Sequence, residues 1–131
     1  MIPSTVLKFT ELDLKKMFTD YLRKTNQELG KVDIDIKSDY VGYYETKVTK
    51  VVVLVTKNSN VNGHPIETVD TYEESDIKEI IRYMLQDSEY KINSIIISAH
   101  AASQDGPFSS PEGLDSISVN CTKKEMEKVM K

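Results

Sequence analysis

Among residues able to do acid–base, nucleophilic or metal chemistry, the histidines and cysteine are few and scattered: His64, His100 and Cys121 are the only ones in the 131-residue chain. A metal site ordinarily takes three or four ligands at recognisable spacing, and these three residues have none. No serine stands in a Gly-x-Ser-x-Gly elbow, and Gly30, Gly42, Gly63, Gly106 and Gly113 are too dispersed to cradle a phosphate. Paired carboxylates such as Asp33/Asp35 and Glu73/Glu74 have structural readings, as the wet face of a strand and as favourable charges at a helix start. The sequence therefore points to no catalytic constellation, metal or cofactor.

Two polar regions remain as candidate binding sites. In the first, an isoleucine-rich stretch runs into the polar segment from His100 to Leu114, where His100, Ser103, Asp105, Ser109 and Ser110 could hold a small polar ligand, with His64 as a further contributor. Its Asp-Gly-Pro and Ser-Pro-Glu-Gly stretches are ordinary turn formers, so a surface connection is the plainer expectation, as a turn residue is for His64. The second region is acidic. Residues 65–90 carry eight acidic and two basic side chains, and Glu67, Asp70, Glu73, Glu74, Asp76 and Glu79 would form a negative patch able to steer a basic partner if they shared one surface. Tyr40, Tyr43 and Tyr44, clustered around Gly42, add the aromatic area with polar tips that interfaces favour.

Both regions must be positioned by the elements around them. Leu14, Met17, Phe18, Tyr21 and Leu22 recur at helical spacing behind Thr10 as N-cap, and Gly30 is the expected stop. The segment Thr5–Phe9 is either a short strand or the lead-in to this helix. Val32, Ile34 and Ile36 then alternate with polar residues, as in a strand with one wet face. The run Val51–Val55 within Thr46–Lys57 predicts a central strand covered on both faces. Turn formers from Asn58 to Gly63, including an Asn-Gly pair, predict a hairpin back through Ile66–Tyr72. A second helix begins near Ser75 and carries Ile77, Ile80, Ile81, Met84 and Leu85 on one face. Ile92–Ala99 reads as a buried strand, and Asp115–Cys121 as one that turns Ile117, Val119 and Cys121 inward. The Thr122–Glu125 spacing matches a capping box for a short terminal helix over Glu125–Met130.

These elements predict a single α+β domain over residues 1–131: a mostly antiparallel sheet of about five strands, two main helices on one face, and the order α-β-β-β-α-β-β with a short C-terminal helix. No internal repeat is legible. No apolar run is long enough for a membrane helix, the N-terminus lacks the pattern of a secretory signal, and a lone cysteine suits a reducing compartment, so a cytoplasmic protein is expected. A net charge of −4, with only Arg23 and Arg82 as arginines, disfavours nucleic-acid binding.

The expected function is that of a small non-enzymatic binding protein acting through a protein partner, such as an accessory or inhibitor protein of a bacterial mobile element or phage. The alternative is a small-molecule binding or sequestering protein, or a modest enzyme, that uses the 100–113 loop. Unprotected sheet edges leave a homo-oligomer open.

Overall fold

The computed structural model describes residues 3–40, 46–102 and 111–124. The chain forms β1 (Ser4–Phe9), α1 (Glu11–Lys24), β2 (Lys31–Tyr40), β3 (Thr46–Val61), β4 (His64–Tyr72), α2 (Glu74–Leu85), β5 (Tyr90–His100) and β6 (Gly113–Lys123). The α+β class holds, with both expected helices. The single sheet of about five strands does not: six strands form two antiparallel three-stranded sheets, ordered β1-β6-β5 and β2-β3-β4. Thr5–Phe9 is a strand and not a helix lead-in, because its backbone pairs with β6 from Phe9↔Ile117 to Ser4↔Thr122. Thr122 belongs to β6, and the expected terminal helix over 125–130 lies outside the described residues.

The topology is a duplication. Each half of the chain is a βαββ unit, β1-α1-β2-β3 and β4-α2-β5-β6, and the first strand of each half pairs with the last strand of the other. Contacts repeat accordingly, since β3 touches β5 where β2 touches β6, and α2 touches β3 where α1 touches β6. The helices match residue for residue. Leu14 and Ile77, Phe18 and Ile81, and the capping residues Asp13 and Asp76 stand at equivalent positions, separated by one constant interval along the chain. This arrangement was not legible as a repeat because the halves share a pattern of apolar positions and caps but few identical residues.

A single core joins the halves. The helices touch each other, and each touches strands of both sheets. Leu14, Phe18 and Leu22 from α1, Ile77 and Ile81 from α2, Val53 and Val55 from β3, and Ile117 and Val119 from β6 are at most 1% exposed within one cluster. β3 is the central strand of its sheet, and Val52, on the face opposite Val51 and Val53, is buried as well. The isoleucine run behaves otherwise. β5 is an edge strand, so only Ile95 is buried, Ile92 and Ile97 are partly covered, and Ile96 is 55% exposed.

Two chain reversals differ from expectation for local reasons. α1 stops at Asn26, not Gly30: Asn26 takes the left-handed conformation at φ 56°, its N–H donates to the Arg23 carbonyl, and the Gln27 N–H donates to the Leu22 carbonyl at 2.8 Å. That hydrogen-bond pair satisfies the last carbonyls of the helix in the manner usually associated with glycine. The β3–β4 turn is only Asn62-Gly63, at φ 53° and 82°, between the paired residues Val61 and His64. Asn58–Val61 therefore extend β3. Positive φ at both central residues matches the right-handed twist of a tight hairpin, so the pairing can begin immediately beside the turn.

Candidate functional site

The polar loop and the acidic segment have different fates. His100 ends β5 opposite Gly113. Its Nδ1 lies 2.6 Å from Asp115 Oδ1 and its Nε2 lies 3.1 Å from the Pro111 carbonyl oxygen. A side chain at Gly113 would place its Cβ 3.1 Å from the imidazole Cε1, so the glycine leaves room for the ring. Both ring nitrogens face acceptors, which only the doubly protonated imidazolium can satisfy at once. The Asp115 carboxylate, and after it the Pro111 carbonyl, hold the His100 pKa above its ordinary value. This imidazole clasps the ends of β5 and β6 and has no nitrogen left for a substrate or metal.

Ser103, Asp105, Ser109 and Ser110, the rest of that expected site, lie outside the described residues. His64 is exposed beside the Asn62-Gly63 turn in the other sheet, so the two histidines belong to separate hairpins. Among the described residues no group of three or more histidine, cysteine and acidic side chains could hold a metal ion. Cys121 faces the core as expected. It is fully buried, its thiol donates to the Thr5 carbonyl at 3.4 Å, and burial raises its pKa, which opposes thiolate chemistry.

The clasp has a testable sign. Because the folded pKa of His100 is raised, its stabilising contribution is complete below the unfolded value of about 6.5 and is lost as pH rises through the folded pKa. The imidazole Cε1 proton, followed by NMR, should titrate above the free-histidine midpoint, and Asp115→Asn should move that midpoint down. Equal midpoints in the two proteins would dismiss the clasp.

The acidic residues divide between structural duties and one groove. Asp70 pairs with Lys57 at 2.8 Å, and Glu73 pairs with Lys50 at 3.4 Å. Glu74 Oε1 accepts the Val51 N–H at 3.2 Å, tying the start of α2 to β3. Glu67 stands apart on β4, opposite Asn58 in the exposed outer part of the hairpin. Asp76 and Glu79 are the two that share a concavity. Tyr40 closes β2 opposite Thr46, while Tyr43 and Tyr44 lie outside the described residues.

The groove holding Asp76 and Glu79 has a volume of about 420 Å³. α1 contributes Tyr21 and its C-cap residue Thr25 follows, β4 contributes Thr71 and Tyr72, and α2 contributes Ile80 and Tyr83 beside the two acids. Helical spacing aligns Asp76, Glu79, Ile80 and Tyr83 on one side of α2. Tyr21 and Tyr83 meet edge to face with centroids 5.6 Å apart, and Tyr72 meets Phe18 edge to face at 5.1 Å, so the aromatic walls are anchored on each other and on the core. Burial, then the nearby Asp70 carboxylate, raises the Tyr72 pKa and keeps its hydroxyl neutral. Asp76 Oδ2 accepts the Glu73 N–H at 3.0 Å, which fixes the carboxylate at the first turn of α2.

Aromatic faces attract cations, and two carboxylates with no basic residue among the lining side chains reinforce that preference. The arrangement suits a positively charged head on an apolar stem. A second groove, of about 320 Å³ between α1 and β2, is lined by Lys15, Lys16 and Arg23. There Glu11 lies 3.8 Å from Lys15 and Asp20 lies 3.9 Å from Arg23, so part of its positive charge is offset along the helix.

The duplicated topology supplies an internal control. Asp76 has the counterpart Asp13, which accepts the Thr10 N–H at 2.9 Å just as Asp76 accepts that of Glu73, so an acid here serves the helix start in both halves. The other groove residues are not repeated. Lys16 stands where the second half has Glu79, and Asp20 stands for Tyr83; Met84 is the counterpart of Tyr21, and Phe9 that of Tyr72. The fold itself therefore does not require the extra carboxylate and the three tyrosine hydroxyls. Sequence reading placed Asp76 and Glu79 among the partner-binding candidates but missed the tyrosines, whose only signal was the fall of Tyr83 on the Asp76–Glu79 side of α2. No protein-family model, curated protein or solved structure compared with the chain matches it.

Proposed function

We propose that the chain is a small non-enzymatic binding protein that engages a basic protein partner through the tyrosine-lined groove between α1, α2 and β4. The observation that carries this reading is the one-sidedness of the duplication: Glu79, Tyr21, Tyr72 and Tyr83 converge at one of two equivalent positions and are replaced at the other. A cytoplasmic setting and a role as an accessory or inhibitor protein of a bacterial mobile element or phage belong to this reading, supported by the single buried thiol and by the lysine-rich, arginine-poor composition. Among the described residues no helix is long and apolar enough to cross a membrane.

The test is capture of a partner from a bacterial lysate by the immobilised chain, compared with a Glu79→Lys/Tyr83→Ala variant. Both side chains are exposed, so the variant should keep the parent circular dichroism spectrum. Capture should fall by at least about tenfold, the effect of losing one good interface anchor, and cross-links from Glu79 should map to lysines of the captured protein. Equal capture by parent and variant would overturn the reading.

A further inference from the structure

The groove opens beside an edge strand. β4 pairs only with β3 among the described residues, which leaves its other side without a strand partner, and Thr71 and Tyr72 belong both to that edge and to the groove wall. Exposed strand edges are usually guarded, most simply by lysine. The other three edges carry such guards: Lys8 on β1, Lys31 and Lys37 on β2, and Lys91 on β5. β4, with the sequence HPIETVDTY, is guarded by Pro65 only at the turn end; from Ile66 to Tyr72, the part nearest the groove, it has no proline, lysine or arginine, and its charged residues Glu67 and Asp70 are both acidic. It also exposes apolar area, with Ile66 43% and Val69 51% exposed on alternate faces of the strand.

We propose that the free edge of β4 accepts an extended segment of the partner as an added strand, and that one lysine or arginine of this segment enters the groove between the tyrosines, Asp76 and Glu79. This inference rests on the reading of the groove as a basic-partner site and adds the form of the ligand. Main-chain hydrogen bonds along an added strand supply affinity without regard to sequence, whereas pockets meeting alternate side chains supply selectivity. The groove fits the second role. In an added strand every second side chain faces the helix layer, where Tyr21 and Tyr83 line the groove, and its neighbours meet Ile66 on one face or Val69 on the other.

The selected segment is thus a run of β-forming residues with one basic side chain turned toward the helices. Glu67 adds a filter, since it attracts a basic strand and repels an acidic one, whereas Asp70 is already paired with Lys57 at 2.8 Å. A second copy of β4 would bring the like charges of two Glu67 carboxylates to the shared edge, so it is the less favoured occupant.

The test uses the full-length protein and three short capped peptides: alternating threonine and valine with a central lysine, the same peptide with norleucine for lysine, and the lysine peptide with alternate backbone amides methylated. Amide NMR shifts of Glu67–Tyr72 and Asp76–Tyr83 are followed in each titration, with hydrogen exchange of the β4 amides. The lysine peptide should perturb both segments and protect β4 amides, and norleucine and methylation should each weaken binding by about tenfold or more, the scale of one cation–π contact with its carboxylates or of a lost hydrogen-bond pair.

Equal binding of the methylated peptide overturns strand addition, and equal binding of the norleucine peptide overturns the basic anchor. Absence of binding by all three overturns the inference as a whole. Lysate capture that depends on Glu79 and Tyr83 would then show that the groove reading survives while the strand form of the ligand fails.

Discussion

Phe18→Ala should lower the unfolding free energy by about 3–5 kcal/mol, the cost of deleting a buried aromatic ring when its surroundings close only in part. Phe18 is 0% exposed, lies in the cluster that joins both helices to both sheets, and packs its ring against Tyr72 at 5.1 Å. Domains of this size are commonly stable by about 5–15 kcal/mol, so the variant would keep only part of its margin.

Urea denaturation should show a lower midpoint at nearly unchanged slope. Because one core serves both halves, the tyrosine fluorescence and circular dichroism transitions should still coincide. Ile81→Ala, at the equivalent position of α2, should cost about 2–5 kcal/mol by the same mechanism. A loss below about 1 kcal/mol for Phe18→Ala, or separate transitions for the two probes, would contradict a shared core. The substitution also removes the ring on which Tyr72 is braced, so it should weaken partner capture in protein that remains folded.

Gly30→Ala acts by a different mechanism and is expected to destabilise by about 1–3 kcal/mol, the usual cost of forcing extra atoms into a packed site. A methyl group at Gly30 would lie 2.5 Å from the carbonyl oxygen of Thr56 and 3.0 Å from Val55 Cγ1. The first of these contacts is with backbone held in the β2–β3 pairing, where Lys31 is the partner of Thr56, so it cannot be relieved by a side-chain rotation. An opposing gain of about 0.4–1 kcal/mol comes from the reduced freedom of the unfolded chain, and it is smaller than the clash. Thermal unfolding decides between them. An unchanged or raised melting temperature would mean that the start of β2 shifts freely away from β3. Gly63, by contrast, has open space for a side chain but sits at φ 82°, so its requirement is conformational.

The two glycines illustrate how far local signals reach. Asn62-Gly63 was legible because a dipeptide suited to positive φ acts within its own turn. Gly30 was misread as a helix stop because its true constraint comes from Thr56, far along the chain, while the stop is made by Asn26. Both helices were legible because their apolar faces obey a period set by the backbone. β1 was not, since Ser4–Phe9 becomes a strand only through its pairing with β6 at the opposite end of the sequence. The candidate site divides in the same way. Asp76 and Glu79 were picked out as part of a charge run, whereas the grouping of Tyr21, Tyr72 and Tyr83 required α1, β4 and α2 to meet.

By itself, then, the sequence determined the α+β class, the two amphipathic helices, the central position of the Val51–Val55 strand and the concentration of acid around α2, each of which depends on neighbours a few residues apart. Only the tertiary structure decided that six strands form two sheets, that the halves exchange their first strands, that His100 is tied to Asp115 and Pro111, and that two of the six acids join three tyrosines in one groove. These outcomes rest on which edges pair and in what register. Pairing between distant strands is a choice among competing partners of similar local character, and it is settled by burying one common core.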